Sequence, residues 1–402
     1  MKPTEPDHSR LLLVGESPRW HEATLQAAAK LNVQLDVVAD VRAALTRMLK
    51  PNPVYGHVLA ETPISCRAID ALAGMLDEVT QRPTPLVLLG CATYTGANAV
   101  RCLATPDPGA LCEALRRPFA PEAARLPPLT LDQVTAALYG GGLRVRFQPI
   151  VSASDLRPIG VEALSRVHMR ERGIVHPRDF IPALVAGGCE RVLTAIAAAR
   201  TFLEIGQRAA DTDWFASVNL PLATVMHDDA LLRGVELCAV AGVPPSRILL
   251  EVLEAPVAPD LVRLGVCLER WRRAGFRTAI DDAGPALSYW RQLLDLPFDV
   301  LKLDGAMVVD PAAQGLMETI VAAARASGKF ITAEGIEDEA CLDRVRPLQV
   351  DALQGFLFAR PLPAMALPLW LDQRAAHGWP AERTYQEPAD RTASNGRQQD
   401  AA

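Results

Sequence analysis

No run of about 18 consecutive apolar residues occurs anywhere in the chain, so no segment reads as a membrane span. The opening stretch "MKPTEPDHSRLLLVGES" carries no long apolar segment behind its charges, which argues against a secretory leader. No CxxC pair exists among the eight cysteines, Cys66, Cys91, Cys102, Cys112, Cys189, Cys238, Cys267 and Cys341. Their scatter leaves reduced thiols of a cytosolic protein. Positive charge is not in excess either. The net charge of -6 leaves no nucleic-acid footprint, though a local pocket for a small anion stays open. The expectation is a cytoplasmic protein with neither membrane nor nucleic acid as partner.

What is present is enough apolar material for large cores. The 402 residues are half hydrophobic and 22% charged, which suits two globular domains and a tail. Over residues 8–122, strand-like runs at 10–17, 33–40, 56–62, 84–91 and 100–105 alternate with helical patterns at 19–31, 41–50, 68–79 and 108–119. That alternation predicts a parallel, doubly wound, flavodoxin-like sheet. Residues 123–130 read as a linker, and Thr130 is placed to cap a helix over 131–141.

A second, longer alternation fills residues 131–378. Its apolar runs fall at 143–151, 158–166, 213–221, 247–254, 276–284, 298–305, 329–336 and 351–359. Eight strands over this length predict a (β/α)8 barrel. Residues 379–402 lack apolar periodicity and are expected to be disordered.

Catalytic groups of such a barrel gather where its strands end. The ends of the eight runs carry Gln148, Glu162, Asn219, Glu251 with Glu254, Asp281 with Asp282, Lys302, Glu334 with Glu337, and Gln354. Singly, each reads as a strand-end cap, a turn residue or a solvated charge. Together they are a different matter, because crowded carboxylates repel and are costly to bury unless cations join them. Carboxylates with an asparagine oxygen make a hard-oxygen site that suits Mg²⁺ or Mn²⁺. Histidine is nearly absent from these positions and cysteine is absent, which argues against zinc. Two such ions beside a lysine suit in-line attack of hydroxide on a phosphodiester.

These runs also resemble a known family. "VEALSR" (161–166) carries the Glu-Ala-Leu signature of EAL-domain cyclic-di-GMP phosphodiesterases. "QPIV", "SVNL", "LLEVLE", "AIDDAG", "DVLKLD", "TAEGIE" and "LQGFLFARPLP" resemble the family's other motifs, in order, over roughly residues 131–375. The resemblance implies a modified TIM (β/α)8 barrel with one antiparallel strand, often dimeric. It implies hydrolysis of cyclic di-GMP to linear pGpG with two Mg²⁺ or Mn²⁺ ions. By position, Glu162, Asn219, Glu251 and Asp281 resemble ligands of one metal, and Asp281 would bridge to a second with Asp282. Lys302 resembles the lysine at the attacking water. Glu334 and Gln354 resemble an essential acid and its companion near the water network. Gln148 and Arg166 would contact the guanine and phosphate of the substrate. Glu254 and Glu337 resemble supporting acids, Glu254 bracing the loop after the fifth strand and Glu337 lying on the substrate side.

The sequence departs from the family in the loop after the aspartates. Active members usually continue Phe-Gly-Thr-Gly-Tyr-Ser-Ser, where this chain has "AGPALSY" (283–289). Pro285 replaces a threonine and removes an N–H donor. Ala286 replaces a glycine and disfavours positive φ. Leu253 stands where a threonine is usual. An inactive or weak domain that acts as a cyclic-di-GMP receptor or protein-interaction regulator is therefore the alternative.

The N-terminal domain resembles a degenerate response-regulator receiver. Its key positions are Gly15 with Glu16, Glu61, Gly90 with Cys91, and Arg117 before Pro118. Glutamate at the phosphoacceptor position predicts that this domain is not phosphorylated. It remains a possible docking site for a signalling protein.

Overall fold

The computed structural model describes residues 10–49, 55–80, 86–93, 100–116, 127–169, 172–209, 214–253, 260–284 and 289–377. Glu254, Pro285, Ala286, Arg117, Pro118 and the segment 379–402 lie outside the described residues.

Five strands build the first sheet: β1 (Arg10–Val14), β2 (Gln34–Val38), β3 (His57–Glu61), β4 (Leu86–Leu89) and β5 (Val100–Leu103). All are parallel, in the order β2-β1-β3-β4-β5. Helices α1 (Pro18–Leu31), α2 (Val41–Met48), α3 (Cys66–Thr80) and α4 (Pro108–Arg116) accompany them. Helices on both faces explain why β1 and β4 read as continuous apolar runs instead of alternating ones. Helix α5 (Leu131–Tyr139) then opens the second unit. Thr130 caps it as expected: its hydroxyl accepts from the N–H of Gln133, and Gln133 reaches back to the N–H of Thr130.

The second sheet closes on itself. It holds β6 (Leu143–Ser152), β7 (Pro158–Met169), β8 (Gly173–Val175), β9 (Phe215–Pro221), β10 (Ile248–Leu253), β11 (Arg277–Ala283), β12 (Val300–Leu303), β13 (Phe330–Ala333) and β14 (Ala352–Gln354). Their order is β6-β14-β13-β12-β11-β10-β9-β7-β8, and β6 also pairs with β7, which closes eight strands into a barrel. β6 is antiparallel to both its neighbours. The short β8 was not legible as a strand; it pairs only with the far end of β7.

The barrel interior changes character along its axis. Ile150, Phe215, Leu249, Ala279, Val300 and Ala352 form one buried apolar plug. Side chains alternate along a strand, so the residue two positions on shares the same face. Two positions beyond Leu249, Ala279, Val300 and Ala352 stand Glu251, Asp281, Lys302 and Gln354, and two before Ile150 stands Gln148. A dry floor thus carries a polar ceiling at the strand C-termini.

Above that ceiling, β6 and β7 continue as a hairpin. Gln148 faces Glu162, Arg146 faces Leu164 and Arg144 faces Arg166 in an unbroken register. Helix α3 of the first unit packs on this hairpin. Arg144 Nε donates to Asp70 Oδ1 at 2.6 Å. Arg166 Nε and Nη2 donate to the two carboxylate oxygens of Glu78 at 2.6 and 3.1 Å. The two units also meet where Gln373, on helix Leu367–His377, donates to the carbonyl of Thr46.

Candidate active site

Lys302 Nζ occupies the centre of the polar ceiling. It lies 2.5 Å from Glu334 Oε1, 2.9 Å from Glu251 Oε1, 3.3 Å from Asp281 Oδ1 and 3.6 Å from Glu162 Oε2. Its side chain is 1% exposed and that of Glu251 is wholly buried. Burial alone would lower the Lys302 pKa, but Asp281, Glu162, Glu251 and Glu334 outweigh it and hold it well above the usual range. Burial raises Glu251 well above its usual value, with Glu162 adding to it. Burial likewise pushes Glu334 up to about 8 despite the nearby ammonium. Glu162 goes the other way: burial would raise it, but Lys302 and the amides of Gln354 and Asn219 hold it below the usual carboxylate range.

Glu162 is fixed from both sides. Asn219 Nδ2 donates to its Oε1 at 3.0 Å, and Gln354 Nε2 to its Oε2 at 2.6 Å. Asn219 spends its N–H₂ group on this bond, so its carbonyl oxygen is the atom left to ligate. Gln354 also reaches Gln148 Oε1 at 3.3 Å, and Gln148 Nε2 donates to the carbonyl of Ala359. Gln148, expected at a guanine, is thus buried inside the network that orients Gln354 and Glu162.

The paired aspartates diverge because β11 breaks register against β12 between Ile280 and Ala283. Asp282 has φ of 54°, a left-handed conformation that a non-glycine residue adopts only when its surroundings compel it. Asp281 stays buried while Asp282 turns out to the mouth. Partial desolvation at the mouth, with Asp281 and Asp304 nearby, lifts the Asp282 carboxyl to about 6. Carboxylate oxygens of Asp281, Asp282 and Glu334 all lie within 4.8 Å of one another, close enough to share a metal ion.

The residues present fit a hard divalent cation. Both Glu251 oxygens and Glu334 Oε1 are buried with no well-aligned hydrogen bond beyond the Lys302 ammonium, and the donor set is all oxygen. Buried acceptors of that kind need a cation, and Lys302 is the one that this structure supplies.

Arg166 and Glu337 are the two remaining expected residues. Arg166 does not open onto the mouth; it is 5% exposed and bound to Glu78. Glu337 lies in the loop after β13, half-buried, within electrostatic reach of Arg360. Several residues escaped notice in the sequence. Asp304 adds charge beside Asp282 and caps the next helix through Ala306. Arg144 and Arg146 share the strand face of Gln148, and their alternation in "LRVRFQ" was the available signal.

Such a fold and mouth define a class: a modified (β/α)8 barrel with one antiparallel strand and an all-oxygen acidic site at its strand C-termini. Residues 131–361 match the EAL domain family, and the chain belongs to it. A cyclic di-GMP phosphodiesterase of Pseudomonas aeruginosa is 29% identical over 242 residues, covering 57% of this chain and 40% of its own length. MucR of the same organism, a bifunctional diguanylate cyclase/cyclic di-GMP phosphodiesterase, is 32% identical over 254 residues, covering 59% of this chain and 36% of itself. The chain therefore spans less than half the length of these curated relatives. The MucR phosphodiesterase solved with c-di-GMP superposes with a TM-score of 0.56 at 29% identity, covering 59% of this chain and 98% of that one.

Proposed function

We propose that the chain is a cyclic-di-GMP phosphodiesterase that opens the cyclic dinucleotide to linear pGpG. The observation that carries this reading is the gathering of Glu162, Asn219, Glu251, Asp281, Asp282 and Glu334 around Lys302, in a barrel whose relatives include named phosphodiesterases. Those six oxygen donors would hold two Mg²⁺ or Mn²⁺ ions, Asp281 being within reach of both Asp282 and Glu334. Bound there, the ions would neutralise phosphoryl charge and make water nucleophilic near neutral pH.

The chain's own groups divide the remaining work. Gln354 and Asn219 hold Glu162 in one orientation, and Gln148 holds Gln354. Lys302 and Glu334, in direct contact, position the attacking water. Its oxygen bonds to phosphorus as the P–O3′ bond breaks, the 3′ oxygen takes up a proton, and a 5′ phosphate remains. Arg166 and Glu337 are assigned to substrate binding, and Glu254 to the support of its loop. We propose a homodimer through the barrel unit, a signalling partner for the first unit, and a cytoplasmic setting. No helix among the described residues is long and apolar enough to cross a membrane.

The substitutions Pro285 and Ala286 favour a second reading, a receptor that binds cyclic di-GMP without turnover. Purified protein incubated with cyclic di-GMP should release pGpG under Mg²⁺ or Mn²⁺, and Glu162→Ala should abolish it. Binding in Ca²⁺ without product under either active metal would replace the enzyme by the receptor.

A further inference from the structure

Asp70, Gly74 and Glu78 are spaced four apart on α3, so they form one stripe along that helix. The stripe meets Arg144, Arg146 and Arg166, which share one face of the β6–β7 hairpin by register. Arg144 and Arg166 are directly opposite each other, and like charges in that position repel unless anions intervene. Asp70 and Glu78 are those anions. Between them the third position is bare: a Cβ at Gly74 would lie 2.2 Å from Arg146 Nη2. Arg146 is 1% exposed, yet its Nε and Nη2 have no hydrogen-bond partner. A buried guanidinium with unmade bonds is a donor awaiting an acceptor.

The same face runs down into the acidic mouth. Arg166 stands two same-face positions beyond Glu162, about 13 Å along the strand. Glu78 also acts on Arg360, which stacks 4.5 Å over Phe356 beside the mouth. Helix α3 thus covers the arginine face of the hairpin that continues from the acidic mouth.

We propose that α3 is an intramolecular competitor of the substrate: Glu78 takes the place of a substrate phosphate on Arg166, and α3 must leave before the dinucleotide binds. This rests on the phosphodiesterase reading above. In the docked state, Asp70 and Glu78 take up Arg144 and Arg166, while Arg146 meets them only through a 3.7 Å contact from Nη1 to Asp70 Oδ2 and leaves Nε and Nη2 without hydrogen bonds, so a ligand with phosphate oxygens gains bonds that α3 does not make. Whatever moves the first unit off the hairpin then opens the barrel.

The test uses the full chain with cyclic di-GMP in Ca²⁺, measuring the dissociation constant for wild type, Glu78→Gln and Gly74→Leu. The first variant removes the competing charge; the second wedges α3 away by pushing on the Arg146 guanidinium, and leaves every charge and the barrel sequence unchanged. If about 90% of the molecules are closed, each variant should tighten binding about tenfold, because apparent affinity scales with the competent fraction. In wild type, the amides of residues 66–80 should exchange hydrogen faster once the dinucleotide is added. Unchanged or weaker binding by two folded variants, or unchanged or slower exchange on saturated wild type, would overturn the competition. If folded wild type and both variants all fail to bind the dinucleotide, the phosphodiesterase reading falls, and the competitor with it.

Discussion

Lys302 Nζ and Glu251 Oε1 sit 2.9 Å apart at the buried centre of the barrel mouth, and neither side chain is more than 1% exposed. An ion pair this deep is costly to assemble and costlier to break, because removing one partner strands the other charge.

Lys302→Met should therefore destabilise the metal-free protein by about 3–5 kcal/mol, the range for breaking a buried pair. Mg²⁺ or Mn²⁺ should restore part of the loss by replacing the missing positive charge among the four carboxylates. Thermal melts with EDTA and with each ion check this. Equal melting temperatures for variant and wild type in EDTA would contradict it.

Divalent cations should also stabilise the wild type. At a free concentration of 100 times the dissociation constant the gain is about 2.7 kcal/mol. Asp281→Asn should reduce that gain at a fixed ion concentration, since Asp281 lies within reach of both Asp282 and Glu334. A titration followed by melting temperature measures both, and identical curves for the two proteins would remove Asp281 from the site.

His168 provides a pH response away from the metal cluster. It is buried with its Nδ1 unpartnered. Burial, with Arg144 and Arg146 outweighing Asp70, lowers its pKa to about 4 from the usual 6.5. The unfolded chain binds the proton more readily, so this site costs stability as pH falls from about 6.5 to about 4, and no more below that. The full loss is about 3 kcal/mol. Denaturant titrations from pH 7 to pH 4 should show a steeper decline for wild type than for His168→Asn. Parallel declines would remove His168 as the source.

The first unit should resist phosphorylation. Both carboxylate oxygens of Glu61 accept the N–H of Ser17, at 3.1 Å, just before α1. Gly15, with φ of 147°, leaves the room that this carboxylate fills, since a Cβ there would lie 2.2 Å from Glu61 Cδ. The crevice at the strand C-termini, where doubly wound sheets bind ligands, is thus taken by the protein's own anion. A small phosphodonor should leave the mass of the chain unchanged; stable incorporation in residues 8–122 would sink the expectation.

Much of this is legible in the sequence. Apolar runs with strand period, each ending in a polar residue, marked the barrel and its mouth, because a barrel's floor must be dry and its ceiling need not be. Glu162, Asn219, Glu251, Asp281, Lys302 and Gln354 could be named because each strand delivers one inward residue at its end. Their partners could not. That Gln148 braces Gln354 follows from closure of β6 onto β14, a pairing between segments about two hundred residues apart.

The sequence by itself determined two α/β units, the identity of the mouth residues and the all-oxygen character of their donor set, since period, spacing and residue type are local properties. Only the tertiary structure decided that Lys302 stands among four carboxylates and that Arg166 belongs to Glu78. Those contacts join strands and units remote in sequence, and no local pattern records which distant charge a buried charge will meet.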